Sequence, residues 1–399
     1  MHQRIACWIF VLLCAGQSLL HGQDFKVLDR DVQIHGFASQ GFVHTSDNNW
    51  LTMYTSHFGS GEFTEFGANA SMQVTDQFRI GAQIYDRNLG GIGTWHPALD
   101  WAYAQYKWKP WLGIRAGRVK TVVGLYNDTQ DLDFLHTFAL MPQSIYPIDI
   151  RDTSIAHDGG DIFGSIPLGG KRGTLSYTAW GGNRDYSQYG GVAYLIRSDG
   201  LNFNSVGGLQ YGGDLRWNTP LKGLLVGVSR MNVDNTLNYS LNEPGIGTIL
   251  LQSKDNADWT NQYYGQYTWG KLLVDAEYRR SWDDAGTTGI SRFQEDSRGW
   301  YFAGSYQILK RVRVGSYYSH YFINFPMGGV EQAGTGHDYD KVVSGRVDIN
   351  RYVNLKIEGH FMDGYGLPGA TPNGFYFANN PQGLKPNTNA LVVKGGFNF

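Results

Sequence analysis

The C-terminal stretch NALVVKGGFNF (389–399) alternates between apolar and polar side chains. Every second residue from Asn389 onward gives a mostly apolar set that ends in Phe397 and Phe399, whereas the intervening set turns polar, with Lys394 and Asn398. Successive side chains of a β-strand point to opposite faces. The stretch therefore predicts a strand with one apolar face and one polar face.

The same alternation recurs through most of the chain and is clearest in 63–74, 78–87, 272–280 and 353–361. Counting all such segments gives about sixteen strands in a single domain, 23–399, with no linker or shift in composition to divide it. We predict strands near 32–44, 63–74, 78–87, 99–107, 112–120, 159–167, 174–182, 206–217, 224–233, 258–269, 272–282, 298–307, 311–321, 338–349, 353–362 and 389–399.

The connections between these strands alternate strictly between short and long. The short ones are 75–77, 109–111, 168–173, 218–223, 270–271, 308–310 and 350–352. The long ones are 45–62, 88–98, 121–158, 183–205, 234–257, 283–297, 322–337 and 363–388. Short turns at one end and long loops at the other are typical of a transmembrane antiparallel β-barrel, whereas a propeller gives no reason for the alternation.

Strand number, connection pattern and terminal phenylalanine together resemble the general diffusion porins of Gram-negative bacteria. The segment IRAGRVKTVVGLYN (114–127) is also similar to the corresponding segment of phosphate-selective porins. The first resemblance implies that the third and longest loop, 121–158, folds into the lumen, that the protein is a homotrimer, and that Phe397 and Phe399 act as an assembly signal.

The first 22 residues have the layout of a cleaved secretory signal peptide: Arg4, an apolar run over 5–15, and small and polar residues before a cleavage after Gly22. Both cysteines, Cys7 and Cys14, lie in this segment. The mature chain would therefore contain no disulfide and no thiolate metal site.

Composition excludes a helical membrane protein, because no later apolar run reaches the ~20 residues of a spanning helix. The mean hydropathy is −0.34, while 15% of residues are aromatic and 53 are glycine, which suits a barrel with aromatic belts. A formal net charge of −2 gives no reason to expect nucleic acid as a partner.

A barrel of this size leaves an aqueous channel, and its polar face should line it. By the porin resemblance, acids of the third loop would face basic residues of the wall across a constriction. The candidate pore-lining residues are Arg79, Arg87, Arg115, Arg118, Lys120, Asp128, Asp131 and Asp133. Each of them could instead be a solvated lumen residue, or part of a salt bridge that fastens the loop to the wall. Arg118 is out of phase with its neighbours and would need a bulge or a strand end to face inward.

Catalysis is not expected, since neither HExxH nor GxSxG occurs and the histidines are scattered. Adjacent His–Asp pairs such as His157–Asp158 would point to opposite faces of a strand. Calcium binding by the loop aspartates would lack the usual ligand pattern. We therefore predict no enzymatic activity, no cofactor and no metal.

The sequence favours an outer-membrane channel for passive diffusion of ions and small hydrophilic solutes. A channel specific for phosphate, other anions or sugars remains an alternative, and an adhesion or structural barrel is a third possibility. The expected partners are membrane lipid, lipopolysaccharide and the outer-membrane assembly machinery, besides the transported solutes.

Overall fold

Sixteen antiparallel strands form a closed ring in the computed structural model, which describes residues 24–27, 30–287, 292–324, 336–366 and 373–399. The predicted signal peptide, 1–22, lies outside the described residues. A short first strand, β1 (Asp24–Val27), makes a hairpin with the first barrel strand. The barrel strands are β2 Arg30–Thr45, β3 Ser60–Gln73, β4 Phe78–Leu89, β5 Ala98–Lys109, β6 Leu112–Lys120, β7 Ala156–Pro167, β8 Thr174–Asp185, β9 Asn202–Asn218, β10 Leu224–Glu243, β11 Gly247–Trp269, β12 Leu272–Thr287, β13 Arg292–Leu309, β14 Val312–Asn324, β15 His337–Asp348, β16 Val353–Gly364 and β17 Asn387–Asn398.

Each barrel strand pairs with its neighbours in sequence, and β17 pairs with β2 to close the ring. The closing register places Val393 opposite Phe42 and Phe397 opposite Ala38. Beyond this ladder, the amide N–H of Phe399 donates to the carbonyl of Gly36 at 2.9 Å. Closure leaves no unpaired sheet edge, which is the usual solution for strands that must avoid edge-to-edge association.

The predicted fold class is confirmed, and each predicted strand overlaps one barrel strand. The largest difference lies at 234–257, which was predicted as a long loop. There β10 and β11 continue as a two-stranded extension joined by a turn at 244–246. A register shift between Val233 and Thr236 interrupts the ladder. The extra residue of this β-bulge lies on β11, because β10 keeps its register with β9 from Val233 to Asn238. The pattern ended the strand too early because the apolar residues of β10 change from even-numbered positions, Val226 and Val228, to odd-numbered ones, Leu237, Tyr239 and Leu241.

Two further loops are shorter or more structured than predicted. Strand β12 continues to Thr287 and β13 begins at Arg292, so most of the predicted loop 283–297 is strand. The loop 183–205 contains the one α-helix of the described residues, α1 (Gly191–Ser198). Within the part of the chain that the structure describes, three short 3₁₀ turns occur, at Asp133–Leu135, Arg151–Thr153 and Phe377–Asn379. No helix among the described residues is long and apolar enough to cross a membrane.

The two faces of the wall differ as the alternation predicts. On β16, Leu355 and Ile357 are exposed on the outside of the ring, whereas Lys356 and Glu358 are fully buried on the inside. On β12, Tyr278 is exposed while Asp275 and Glu277 are buried. The buried polar side of the wall faces the lumen, and what buries it is the third loop.

Candidate functional site

The connection between β6 and β7, called loop 3 (residues 121–155), crosses the inside of the barrel. Its backbone N–H groups donate to inward carboxylates on distant strands: Leu125 to Glu277 of β12 at 3.0 Å, and Ala139 to Glu358 of β16 at 2.9 Å. The amide of Gly124 also donates to a serine hydroxyl of β10. Loop 3 therefore spans the lumen from its own wall to the opposite one, as the resemblance to porins implied.

Apolar side chains explain why this loop is inside. Phe138, Ile145 and Tyr146 are buried against inward residues of β13, β14 and β15. The ring of Phe138 meets that of Tyr317 edge-on, with centroids 4.9 Å apart. Leu140 packs into a second cluster at the long-loop end, formed by residues of β2, β3, β16, β17 and the loops above them. A loop with this much apolar surface gains free energy by leaving water.

The wall carries small residues where loop 3 approaches it most closely. A Cβ on Gly299 of β13 would collide with the carbonyl of Ser144. On the loop side, Gly124 adopts φ of 65°, and a Cβ there would collide with Gln262 and Glu277. Only glycine combines this conformation with this proximity.

Two clusters of ion pairs hold loop 3 to the wall, and we call them fasteners. The first fastener centres on Asp133. Its carboxylate lies 3.0 Å from Nζ of Lys356 and 3.1 Å from Nζ of Lys394, and both lysines are almost fully buried. Lys394 also pairs with Glu65 at 2.7 Å. Burial would raise the pKa of Asp133, but the two lysines hold that pKa below its ordinary value. The cluster therefore joins β3, β16 and β17 to the tip of the loop.

The second fastener centres on Asp131, which is buried near β4 and β6. Lys120 donates to one carboxylate oxygen at 2.6 Å and Gln83 to the other at 2.7 Å. Arg151, from the far end of the same loop, pairs with Asp100 of β5 at 2.9 Å and lies 3.9 Å from Asp131. Both ends of loop 3 thus meet on this side of the wall.

Arg87 holds the returning segment of loop 3. Its guanidinium donates to the backbone carbonyls of Ile148 and Asp149 and lies 3.7 Å from Asp152. On the opposite wall, Arg346 of β15 donates in the same way to two loop carbonyls. These arginines therefore bind the loop backbone instead of facing an open passage.

Two of the predicted residues, Arg79 and Arg115, lie away from these fasteners, whereas Asp128 is joined to the second one through Lys120. Arg79, near the short-turn end of β4, donates to the hydroxyl of Ser71 at 2.8 Å. Arg115 pairs with Asp161 at 2.7 Å and lies over the ring of Phe163. Asp128 has one buried carboxylate oxygen without a hydrogen-bond donor among the described residues, and its backbone carbonyl accepts from Lys120.

The placement of Arg118 differs from the other candidates. Its neighbour Val119 is fully buried on the inner side, opposite the inward His157, so Arg118 points outward. It pairs with the half-exposed Asp158 at 3.0 Å. The prediction that Arg118 lines the pore is wrong, because no bulge reverses the phase of β6 before this residue.

Several of the strongest loop contacts come from residues that were not predicted as site residues. Arg151 belongs to loop 3 itself. The others are inward, polar positions of the alternation, but nothing in the sequence indicates which of these would meet the loop. The full set is Glu65, Arg151, Glu277, Arg279, Arg346, Lys356, Glu358 and Lys394.

Histidine and carboxylate groups inside the barrel serve the same structural purpose. His360 lies 2.7 Å from Asp340 and 3.0 Å from Glu358, and it is fully buried. Glu358 is already committed to two loop amides. Among the described residues, no group of three or more His, Cys, Asp or Glu side chains could hold a metal ion.

Comparison with solved structures places this geometry among known barrels. Outer-membrane expressed OmpT of Vibrio cholerae matches with a TM-score of 0.58 at 11% identity, over 94% of this chain and all of that one. The trimer form of in-vitro folded OmpT of Vibrio cholerae matches with a TM-score of 0.54 at 10% identity, over 92% of this chain and 99% of that one. The anion-selective porin of Comamonas acidovorans gives 0.55 at 9% identity, over 93% and 100%. OmpF of Salmonella typhi gives 0.53 at 12% identity, over 94% and 100%.

No protein-family model matches the sequence, and no curated protein matches it. At 9–12% identity, the structural matches speak for the fold and not for a particular solute. Nearly the whole of each compared barrel is covered, so the likeness extends over the whole ring. The chain has the fold of the sixteen-stranded outer-membrane porins.

Proposed function

We propose that this protein is an outer-membrane channel through which ions and small hydrophilic solutes diffuse passively. The proposal rests on the position of loop 3, which crosses the lumen and donates hydrogen bonds to inward carboxylates of β12 and β16. A structural barrel needs no such partition inside a polar lumen, whereas a channel uses it to set the width of its passage.

The passage should run past the polar wall that loop 3 leaves uncovered toward the short turns, which we assign to the periplasm. Arg79, Gln105, Arg115 and Arg313 lie there, on inward positions, and all four are partly exposed. A wall of solvated polar side chains favours water and hydrophilic solutes over apolar molecules.

An anion-preferring channel is the second candidate, and the charge of the short turns favours it. The seven turns contain seven cationic side chains and one acid, Asp76. The cations are Lys171, Arg172, Lys222, Lys271, Lys310, Arg311 and Arg351. A channel mouth lined by charges of one sign raises the local concentration of solutes that carry the opposite charge.

We further infer export by a cleaved signal peptide, 1–22, and assembly as a homotrimer, with Phe397 and Phe399 as the signal for the assembly machinery. The fold comparison supports the outer-membrane location, and one compared OmpT structure is a trimer form. The two aromatic rings lie 5.9 Å apart at the closing seam of the barrel. No catalytic role is proposed.

Single-channel recording in planar bilayers tests the proposal. Removing 129–143, the central part of loop 3, should raise the conductance. A control deletion of the same length, 238–252, trims the exposed β10–β11 extension and should leave the conductance unchanged when the strands are rejoined with an Asn-Gly turn. A wild-type protein that inserts but passes no current would overturn the proposal.

Ion preference is read from the reversal potential under a salt gradient. Joint neutralisation of Asp128, Asp131 and Asp133 should shift the preference toward anions, because it leaves Lys120 and Lys356 without their loop counter-charges. A wild-type preference for anions would support the second candidate over a general channel.

A further inference from the structure

Three arginines occupy one row on the outer face of neighbouring strands. Arg230 of β10 is opposite Asn261 of β11, Asn261 is opposite Arg280 of β12, and Arg280 is opposite Arg298 of β13. Neighbouring strands lie about 4.8 Å apart, so the row is roughly 15 Å wide. It forms a continuous cationic strip, which we call the arginine row (Arg230, Arg280 and Arg298).

The outward direction of the arginine row follows from the inward direction of its neighbours. Ser229 accepts a hydrogen bond from the loop 3 amide of Gly124, and Arg279 donates to the loop 3 carbonyl of Ile145. Because adjacent side chains of a strand point to opposite faces, the next residues point away from the lumen. The side chains of Arg280 and Arg298 are 41% and 33% exposed.

From the arginine row toward the short turns, the outward side chains become first aromatic and then apolar. Two residues nearer the short turns, the register aligns Tyr263, Tyr278 and Trp300. Two residues further, it aligns Ala276 with Phe302, in a row with the exposed Val226. Cationic, aromatic and apolar side chains thus follow one another down the wall, the order in which a lipid presents its head group, interface and acyl chains.

Each guanidinium bends away from the apolar rows. Arg230 donates to Asn232 at 2.9 and 3.0 Å, while Arg280 and Arg298 donate to Asp296 at 2.8–3.0 Å. Both acceptors belong to the next row toward the long loops, where Trp259 also lies against Arg230 and Arg280. Long cationic side chains at a membrane bend in this way to bring the charge to the polar region.

The depth of the arginine row in the membrane agrees with a position at the polar region. Arg280 is eight residues from the start of β12 at Leu272. At about 3.3 Å per residue and a tilt near 40°, that is roughly 20 Å above the short-turn end, close to the upper edge of an apolar band about 25 Å tall. The arginine row therefore lies at the height of the outer-leaflet head groups.

The three positive charges of the arginine row exceed the negative charge of the carboxylate that pairs with them. Asp296 is the carboxylate shared by two of the three guanidiniums, whereas the hydrogen bonds of Arg230 among the described residues go to the amide oxygens of Asn232 and Asn261. The outward Arg118, by contrast, has its own carboxylate in Asp158. An unbalanced cationic strip on a lipid-facing wall is stabilised by an anion at the same depth.

We propose that the arginine row binds phosphate groups on the lipid anchor of lipopolysaccharide. The proposal rests on the outer-membrane location proposed above but not on channel activity. The bound lipid would place its phosphates against the guanidiniums and its acyl chains along the aromatic and apolar rows. This side of the barrel, β10–β13, would then carry a resident lipid.

Native mass spectrometry of the purified protein with added lipid A, bisphosphorylated or enzymatically dephosphorylated, tests the assignment. We expect retention of the bisphosphorylated form, and at least a tenfold weaker affinity in the triple variant R230Q/R280Q/R298Q. The matched control R118Q removes an outward arginine that already has a partner and should bind like the wild type. Equal retention of the dephosphorylated lipid, or unchanged binding by the triple variant, would overturn the proposal.

A second variant, expected to strengthen lipid A binding, distinguishes a loss of the binding site from a loss of folding. D296N removes the carboxylate shared by Arg280 and Arg298 and should tighten lipid A binding severalfold; unchanged or weaker binding would contradict the proposal. Heat-modifiable gel mobility verifies folding of each variant. If the triple variant loses its oligomeric state while binding lipid A normally, the row is a contact between copies and the proposal fails. Bilayer conductance, recorded separately, shows whether the channel proposal stands on its own.

Discussion

Replacing Asp133 by asparagine should release the tip of loop 3 without unfolding the barrel. Asp133 is the one ion-pair partner of Lys356 among the described residues, and that lysine is fully buried. Lys394 would keep Glu65, but Lys356 would keep only the backbone carbonyls of Asp133 and Phe138. Removing one member of a buried ion pair costs about 3–5 kcal/mol, which raises the open fraction of the loop by about two to four orders of magnitude.

Hydrogen–deuterium exchange of peptides covering 129–145 measures this opening, since the loop amides are protected while they donate to Glu358. The control is D47N, the same substitution in the exposed pair of Asp47 with Lys385, where an ion pair contributes less than about 1 kcal/mol. Exchange in D133N no faster than in D47N would show that loop 3 is held by packing alone, and would refute the electrostatic argument.

Three further outcomes are expected. Ile357→Lys places a cation on the outer wall near the middle of the apolar band and should cost about 2–4 kcal/mol in urea titrations in lipid, whereas Ser176→Lys on the inner wall should cost far less; equal losses would reverse the assigned faces. Burial raises the pKa of Asp149 to about 6. Because the folded chain then binds the proton more tightly than the unfolded one, stability should fall by up to about 3 kcal/mol as the pH rises from 4 through 6, and urea midpoints should show no such component in Asp149→Asn. Deleting Phe399 removes the last backbone contact of the closing seam and should lower the folded yield seen by heat-modifiable mobility; a normal yield would contradict the assembly role.

The architecture could be predicted because it depends on a pattern that each strand carries by itself. Alternation assigns faces within one strand, and the lengths of the connections assign ends, so no long-range contact needs to be known. The bulge after Val233 shows the limit of this argument. There the register shifts, and β10 continues through residues whose alternation no longer matches the strand before it.

Salt bridges that fasten loop 3 to the wall were an alternative that the sequence left open, but their partners could not be predicted, because they depend on how an irregular segment lies inside the barrel. Lys356 was correctly placed on the inner face, but its burial against Asp133 joins residues 223 positions apart in sequence. A substitution such as Lys356→Glu would have seemed a mild change in a solvated lumen. In the structure it would set a second carboxylate against Asp133 at a fully buried position, so it should destabilise the protein.

This arrangement also changes where selectivity should originate. By the porin resemblance the loop acids were expected to face the wall cations across an open passage and so create a transverse field, with salt bridges that fasten the loop to the wall as the alternative. Asp131 and Asp133 instead neutralise Lys120, Lys356 and Lys394 at contact distance. Opposite charges in contact produce little field a few ångströms away, since their potentials cancel and water screens what remains. Arg79 and Arg313 on the inner wall and the lysines and arginines of the short turns lie toward the periplasmic mouth, so the field should run along the channel axis and favour anions there.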